Sequence, residues 1–148
     1  MKKFNFPLDR VLNYKAQVED SLKSEHAQII KNISDREKEK EMLEGQFAET
    51  AKRMEEETGS CKISSFLVYD NFFHGLANQV KHKEQEIDSL RYKEERKRQE
   101  VVHARMETAS IEKLKERKQQ EYQKEVQKDE ERMVEEFVSN QNSSARMI

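Results

Sequence analysis

The chain has 148 residues, 34% of them hydrophobic and 39% charged, and its 28 basic and 30 acidic side chains leave a formal net charge of −2. Ordinary globular domains have about 45–50% apolar and about 25% charged residues, so the composition excludes a compact core of the usual size. With a sequence pI of about 6.2, the chain also lacks the basic character of a typical nucleic-acid-binding protein.

The first predicted element is a long helix over about residues 7–58. Pro7 stands where a helix begins, because its ring suits the first turn. From Leu8 to Met54 the apolar residues recur at alternating steps of four and three, which is typical of a coiled coil. About half of the positions on this stripe are polar, so the layers are weak.

A break follows at about residues 59–65, where we expect a turn. Gly59 suits the residue that ends a helix, and Ser64 or Ser65 suits the cap that begins the next one.

A second helix is predicted over about residues 66–138. Its apolar stripe starts at Tyr69 and Phe73 and runs to Ile111, where the phase slips. The stripe resumes after an eleven-residue step, which marks a stutter, and its later members are Tyr122, Val126, Met133 and Phe137. Residues 139–148 are expected to be a frayed tail.

These elements predict an all-α fold: residues 1–148 form one antiparallel coiled-coil hairpin whose second helix is longer than the first. Two helices joined by a short loop fold back on each other. A turn centred on Cys61 and Lys62 makes facing residue numbers add to about 123, which places Lys40 near Lys83 and His26 near Lys97 and is expected to weaken those layers. The end of the longer helix, from Tyr122 to Phe137, is expected to find its partner in another protein.

The sequence shows no arrangement of residues suited to catalysis, so we expect a non-enzyme with no cofactor and no metal site. The histidines are far apart and the three glycines are isolated. Cys61 is the only cysteine, which excludes an intramolecular disulfide. No stretch approaches the ~20 apolar residues of a membrane span, and we expect a cytoplasmic protein.

An aromatic cluster, SSFLVYDNFFHGL at residues 64–76, begins the second helix. Phe66, Tyr69 and Phe73 share one helix face by their spacing. Phe72 falls about 100° away from that face, so it is expected to be exposed and to contact a partner.

Several motifs resemble the FliJ family, a soluble component of the bacterial flagellar export apparatus. The resemblance covers nearly the whole chain and is carried by four segments: FNFPLDRVL at residues 4–12, YDNFF at 69–73, IEKLKER at 111–117 and MVEEF at 133–137.

The resemblance implies a hairpin similar to the stalk subunit of rotary ATPases. Its implied partners are the hexameric flagellar export ATPase, the cytoplasmic domain of the export gate protein and export chaperones. The resemblance also implies that the protein promotes assembly of the ATPase ring and export of substrates. The protein would reach the inner-membrane basal body only through these partners, and no nucleic acid is implied. By this resemblance, the end with both termini enters the ATPase ring, and Phe72 and Leu76 face the gate.

Three alternatives remain open from the sequence. One is the equivalent stalk subunit of a virulence type III secretion system, although the Phe-Asn-Phe opening favours the flagellar version. The second is a hairpin chaperone of the prefoldin type. The third is a structural spacer whose helices pair between chains and run straight through residues 59–65.

Overall fold

The computed structural model describes residues 2–57 and 63–146, and it contains two α-helices. Helix α1 is Asp9–Glu57 and helix α2 is Ile63–Arg146, with 49 and 84 residues. The described residues include no β-strand. The all-α prediction and the longer second helix are therefore confirmed, and the helices pack against each other within one chain. This intrachain pairing argues against the straight spacer.

Both helices start at residues other than the predicted ones. Pro7 and Leu8 form a turn before α1, in which the Asp9 amide donates to the Phe6 carbonyl. At the other boundary, α2 starts at Ile63, so Ser64 and Ser65 lie inside its first turn rather than capping it. The Gly59 cap and most of the predicted turn fall at residues 58–62, outside the described residues.

The predicted frayed tail is helical as far as Arg146. Residues 139–146 contain neither glycine nor proline, and extending an existing helix adds one backbone hydrogen bond for each residue fixed. The low helix propensity of asparagine and serine is too small a penalty to stop it. The last two predicted tail residues lie outside the described range.

Contacts divide the molecule into two units. Unit 1 comprises Met1–Glu19 and His103–Ile148, and unit 2 comprises Asp20–Val102. Each unit holds a stretch of α1 against a stretch of α2.

Unit 2 is held by a few buried apolar side chains and by many ion pairs between its helices. Leu76, Ile87 and Val101 are buried. Three of the ion pairs have residue numbers that add to 122, which agrees with the predicted antiparallel register: Arg36 with Glu86 at 3.3 Å, Glu39 with Lys83 at 2.8 Å and Glu25 with Lys97 at 2.9 Å.

The basic side chains expected to weaken unit 2 each lie beside a carboxylate of the opposite helix. Lys40 Nζ lies 3.3 Å from Glu84 Oε1, and His26 Nε2 lies 2.9 Å from Glu94 Oε1. The hydrogen bond with Glu39 raises the pKa of Lys83, and the same bond lowers the pKa of Glu39. Lys40, His26 and Lys83 therefore each face a carboxylate of the other helix, which the apolar stripe alone could not predict.

Unit 1 has the same antiparallel register, and one residue before α1, Phe6, is buried. Lys15 pairs with Glu107 at 2.7 Å, and Asp9 with Lys115 at 2.8 Å. Buried Thr108 donates its hydroxyl to the carbonyl of Ala104 at 3.0 Å, which satisfies its hydrogen-bonding group. Phe6, before α1, is only 4% exposed, so the residues preceding the helix are part of the packed structure.

Candidate partner-binding surfaces

The end of α2 in unit 1 is paired with the chain's own N-terminus at one point. The Tyr122 hydroxyl donates to the Lys2 carbonyl at 2.6 Å, and the Phe4 and Tyr122 ring centroids lie 5.6 Å apart. We define residues 2–8 as the N-terminal segment. Tyr122 was expected to lack a partner in its own chain, and that expectation is wrong, because the Phe4 ring and the Lys2 carbonyl both contact it.

Beyond Tyr122 the apolar residues of α2 are mostly exposed. Met133 is 72% and Phe137 is 63% exposed, while Val126 is partly covered. Val134 and Val138 are exposed as well. We call these five residues the C-terminal apolar face: Val126, Met133, Val134, Phe137 and Val138.

The C-terminal apolar face is broader than the stripe seen in the sequence. At about 100° per residue, its members span an arc of roughly 140° around α2. Val134 and Val138 widen the arc because each directly follows a stripe residue in the sequence. Residues in that position lie off the stripe, so the stripe alone does not predict them. An amphipathic helix with such a face is suited to lie in a groove of another protein.

A second exposed apolar region occurs at the start of α2 in unit 2. Phe72 is 45% exposed, as its position away from the helix stripe predicted. Phe73 instead packs on Phe47, with ring centroids 4.8 Å apart, and Tyr69 donates a hydrogen bond to Glu57 at 2.5 Å. Two of the four clustered aromatics therefore hold the helix pair.

Leu76 and Phe72, predicted together as contacts, lie in different environments. Leu76 is 4% exposed, so its side chain packs between the helices in unit 2. A partner approaching this region meets Phe72 first.

Further apolar side chains near Phe72 in the sequence are exposed, beyond those that the apolar stripe predicted. Four further residues at the start of α2 are exposed: Ile63, Phe66, Leu67 and Val68. They point in several directions around the helix axis. Between residues 63 and 73 the only charged side chain is Asp70, and this local loss of charge could have identified the region. We call Ile63, Phe66, Leu67, Val68 and Phe72 the α2-start patch.

Neither described helix contains a stretch apolar enough to cross a membrane.

Comparison with known proteins gives one result. A sequence model of a protein family described as "Flagellar FliJ protein" matches residues 4–146. No match was found among curated proteins or among solved structures.

Proposed function

Because the chain belongs to the FliJ family of flagellar proteins, we propose that it is a non-enzymatic stalk and escort component of the flagellar type III export apparatus. In this role it binds the hexameric export ATPase, the cytoplasmic domain of the export gate protein and export chaperones. It promotes assembly of the ATPase ring and export of substrates. It works in the cytoplasm and is held at the basal body by these partners.

The observation that carries this proposal is the exposed C-terminal apolar face. Helices in proteins gain most of their stability from packing an apolar face, and large exposed apolar patches mark interaction sites. Helix α2 continues past Tyr122 to Arg146 with almost every side chain exposed. Family membership supports the flagellar export apparatus as the place where that face is covered.

The α2-start patch supports a separate contact with the gate protein. Phe72 is a large, exposed aromatic, and aromatic side chains contribute strongly to the binding energy of interfaces. We place this contact at Phe72, with exposed Val68 one helical turn before it on the same side of α2 and buried Leu76 one turn after it as packing.

The test of the proposed function is to add the purified chain to an export-type ATPase and to measure ATP turnover and ring formation. We expect both to increase. The Phe137→Ser variant should lose most of the effect, whereas Tyr92→Ser, which removes an equally exposed aromatic ring in unit 2, should keep it. If neither turnover nor ring formation changes with the wild-type chain, binding to the ATPase is not its function.

The two surfaces can be separated by comparing Phe137→Ser with a second variant, Phe72→Ser. We expect Phe72→Ser to weaken binding of the gate domain about tenfold and to leave ATPase stimulation unchanged, because removal of a contact aromatic typically costs more than 1 kcal/mol of binding free energy. Phe137→Ser should do the reverse. Equal loss of both activities in both variants would contradict two separate surfaces.

A further inference from the structure

The C-terminal apolar face is surrounded by negative charge. Residues 129–136 contain five carboxylates and one guanidinium, a formal net charge of −4, whereas the whole chain carries −2. All eight of these residues are exposed. Within the described part of the chain, none of the five carboxylates forms an ion pair, in contrast to the many paired carboxylates of unit 2.

The helix period places these carboxylates along both edges of the face. At about 100° per residue, Asp129 and Glu136 lie beside Met133, while Glu131 and Glu135 lie beside Val138. Glu130 falls within the arc, one turn before Met133 and Val134. The two cations nearest in sequence, Lys128 and Arg132, lie on the opposite side of the helix. A partner that covers the face must therefore meet apolar side chains at its centre and carboxylates at its edges.

The chain's own N-terminal segment provides an example of what α2 binds at this end. Phe4 supplies the ring that packs on Tyr122, and Lys2 and Lys3 precede it. Tyr122 lies on the same line along α2 as Val126, Met133 and Phe137, because steps of four and seven residues nearly repeat the helix period. An aromatic ring and the backbone carbonyl of Lys2 already occupy the first position on that line.

From these observations we propose that the C-terminal apolar face docks into an apolar groove with basic edges on a partner protein. The carboxylates on both edges pair with lysine or arginine side chains of that groove, which favours rapid encounter and fixes the orientation of the helix.

Charge decides against the other candidate occupants. A second copy of this helix would bring carboxylates against carboxylates along both edges, and like charges at an interface oppose association. Anionic membranes and nucleic acids are repelled for the same reason. A basic protein groove is the occupant whose charge complements the face.

The chemistry of the face can be tested without any natural partner. The probe is a fluorescent amphipathic helical peptide made of leucine and lysine, titrated with the full chain and followed by anisotropy. We expect binding at about 50 mM salt and its loss at about 500 mM. Both Phe137→Ser and the double variant Glu135→Lys/Glu136→Lys should weaken binding at least tenfold at low salt.

Matched variants in unit 2 control for general attraction to an acidic surface. Tyr92→Ser removes an exposed ring and Glu41→Lys/Glu44→Lys reverses two exposed carboxylates in unit 2; both should bind the peptide nearly as well as the wild type. The proposal would be overturned if Glu41→Lys/Glu44→Lys weakened peptide binding as much as Glu135→Lys/Glu136→Lys does. It would also be overturned if neither Phe137→Ser nor Glu135→Lys/Glu136→Lys weakened peptide binding.

The identity of the natural partner rests on the proposed function, and a second titration separates the two claims. The export ATPase should bind the wild-type chain with the same salt dependence and the same response to the tail variants. If the peptide behaves as expected and the ATPase does not bind, the proposed function fails and the basic groove belongs to another protein. If the ATPase binds all variants equally, the groove proposal fails and the function stands. Two further results would overturn the proposal. One is self-association of the wild-type chain in a sedimentation series that Phe137→Ser abolishes; the other is binding of the wild-type chain to anionic vesicles that Phe137→Ser abolishes.

Discussion

The helix pair of unit 2 and the last 20 residues of α2 in unit 1 are built from the same kinds of amino acid but use them differently. In unit 2 several carboxylates lie against basic side chains of the opposite helix, as Glu39 does with Lys83. In the tail, carboxylates such as Glu135 and Glu136 are exposed around exposed apolar residues. The comparison shows that composition alone does not separate charge that holds a fold together from charge that is left for a partner. The opposing helix makes the difference.

The largest expected difference between the two regions lies in the cost of removing an apolar side chain. Ile87 is 4% exposed, so Ile87→Ala should lower the free energy of unfolding by about 2–4 kcal/mol, from lost burial and the cavity left behind. Phe137→Ala removes a larger side chain from the exposed tail and should cost less than about 0.5 kcal/mol. Urea unfolding followed by circular dichroism measures both. Equal losses would mean that the tail is as covered as unit 2.

A smaller effect is expected where the N-terminal segment packs. Phe6→Ala removes a buried ring, but the loss is limited to the free energy of docking one short segment, so we expect about 1–2 kcal/mol at most. The segment should then release Tyr122, and amide exchange at residues 2–8 should quicken while exchange at residues 20–57 stays the same. Faster exchange throughout both helices would show instead that the segment is needed for the whole fold.

The smallest effect is expected from a single ion pair of unit 2. The lowered pKa of Glu39 contributes stability that is present above its unfolded value of 4.5 and is lost as the pH falls through the lowered folded value. The raised pKa of Lys83 contributes stability that is present below 10.5 and is lost as the pH rises through the raised folded value.

Substituting Glu39 removes this pair together with the ion pair that Glu39 forms with Arg36 at 3.1 Å within α1. Glu39→Gln should lower the thermal midpoint at pH 7 only slightly, because the side chains are near the surface and screened. It should also flatten the dependence of the midpoint on pH below about 4.5, because the carboxyl group that titrates there has been removed. Glu41→Gln, an exposed carboxylate of the same helix, is the control and should change neither. The difference between the two variants should shrink at high salt. If the thermal midpoint of Glu39→Gln fell with pH below about 4.5 as steeply as that of the wild type, the pair would contribute nothing measurable to stability.

Much of the fold was predictable because it depends on periodic features. The four-three spacing of apolar residues gave two helices, and the position of the break gave an antiparallel register that the ion pairs of both units match. The charged residues were harder, since the partner of Lys83 is fixed only when the opposite helix is in place. Boundaries were the least predictable: nothing in residues 139–146 forces a helix to continue or to stop.

The candidate surfaces were only partly predictable. The sequence identified Met133 and Phe137, because they continue a stripe beyond the end of the partner helix. It missed the attachment of Phe4 to Tyr122, because a non-helical segment has no helical period to reveal its contacts. It also grouped Leu76 with Phe72 as contacts, although Leu76 is buried and Phe72, one helical turn away, is exposed.

The claim that the end of α2 is left open for a partner is tested most directly by hydrogen–deuterium exchange of the full chain with and without the export ATPase. We predict that residues 126–138 exchange quickly in the free chain and become protected when the ATPase is added, while residues 20–57 are unchanged. Protection confined to residues 20–57, with no change at 126–138 in a complex shown to form, would contradict the account.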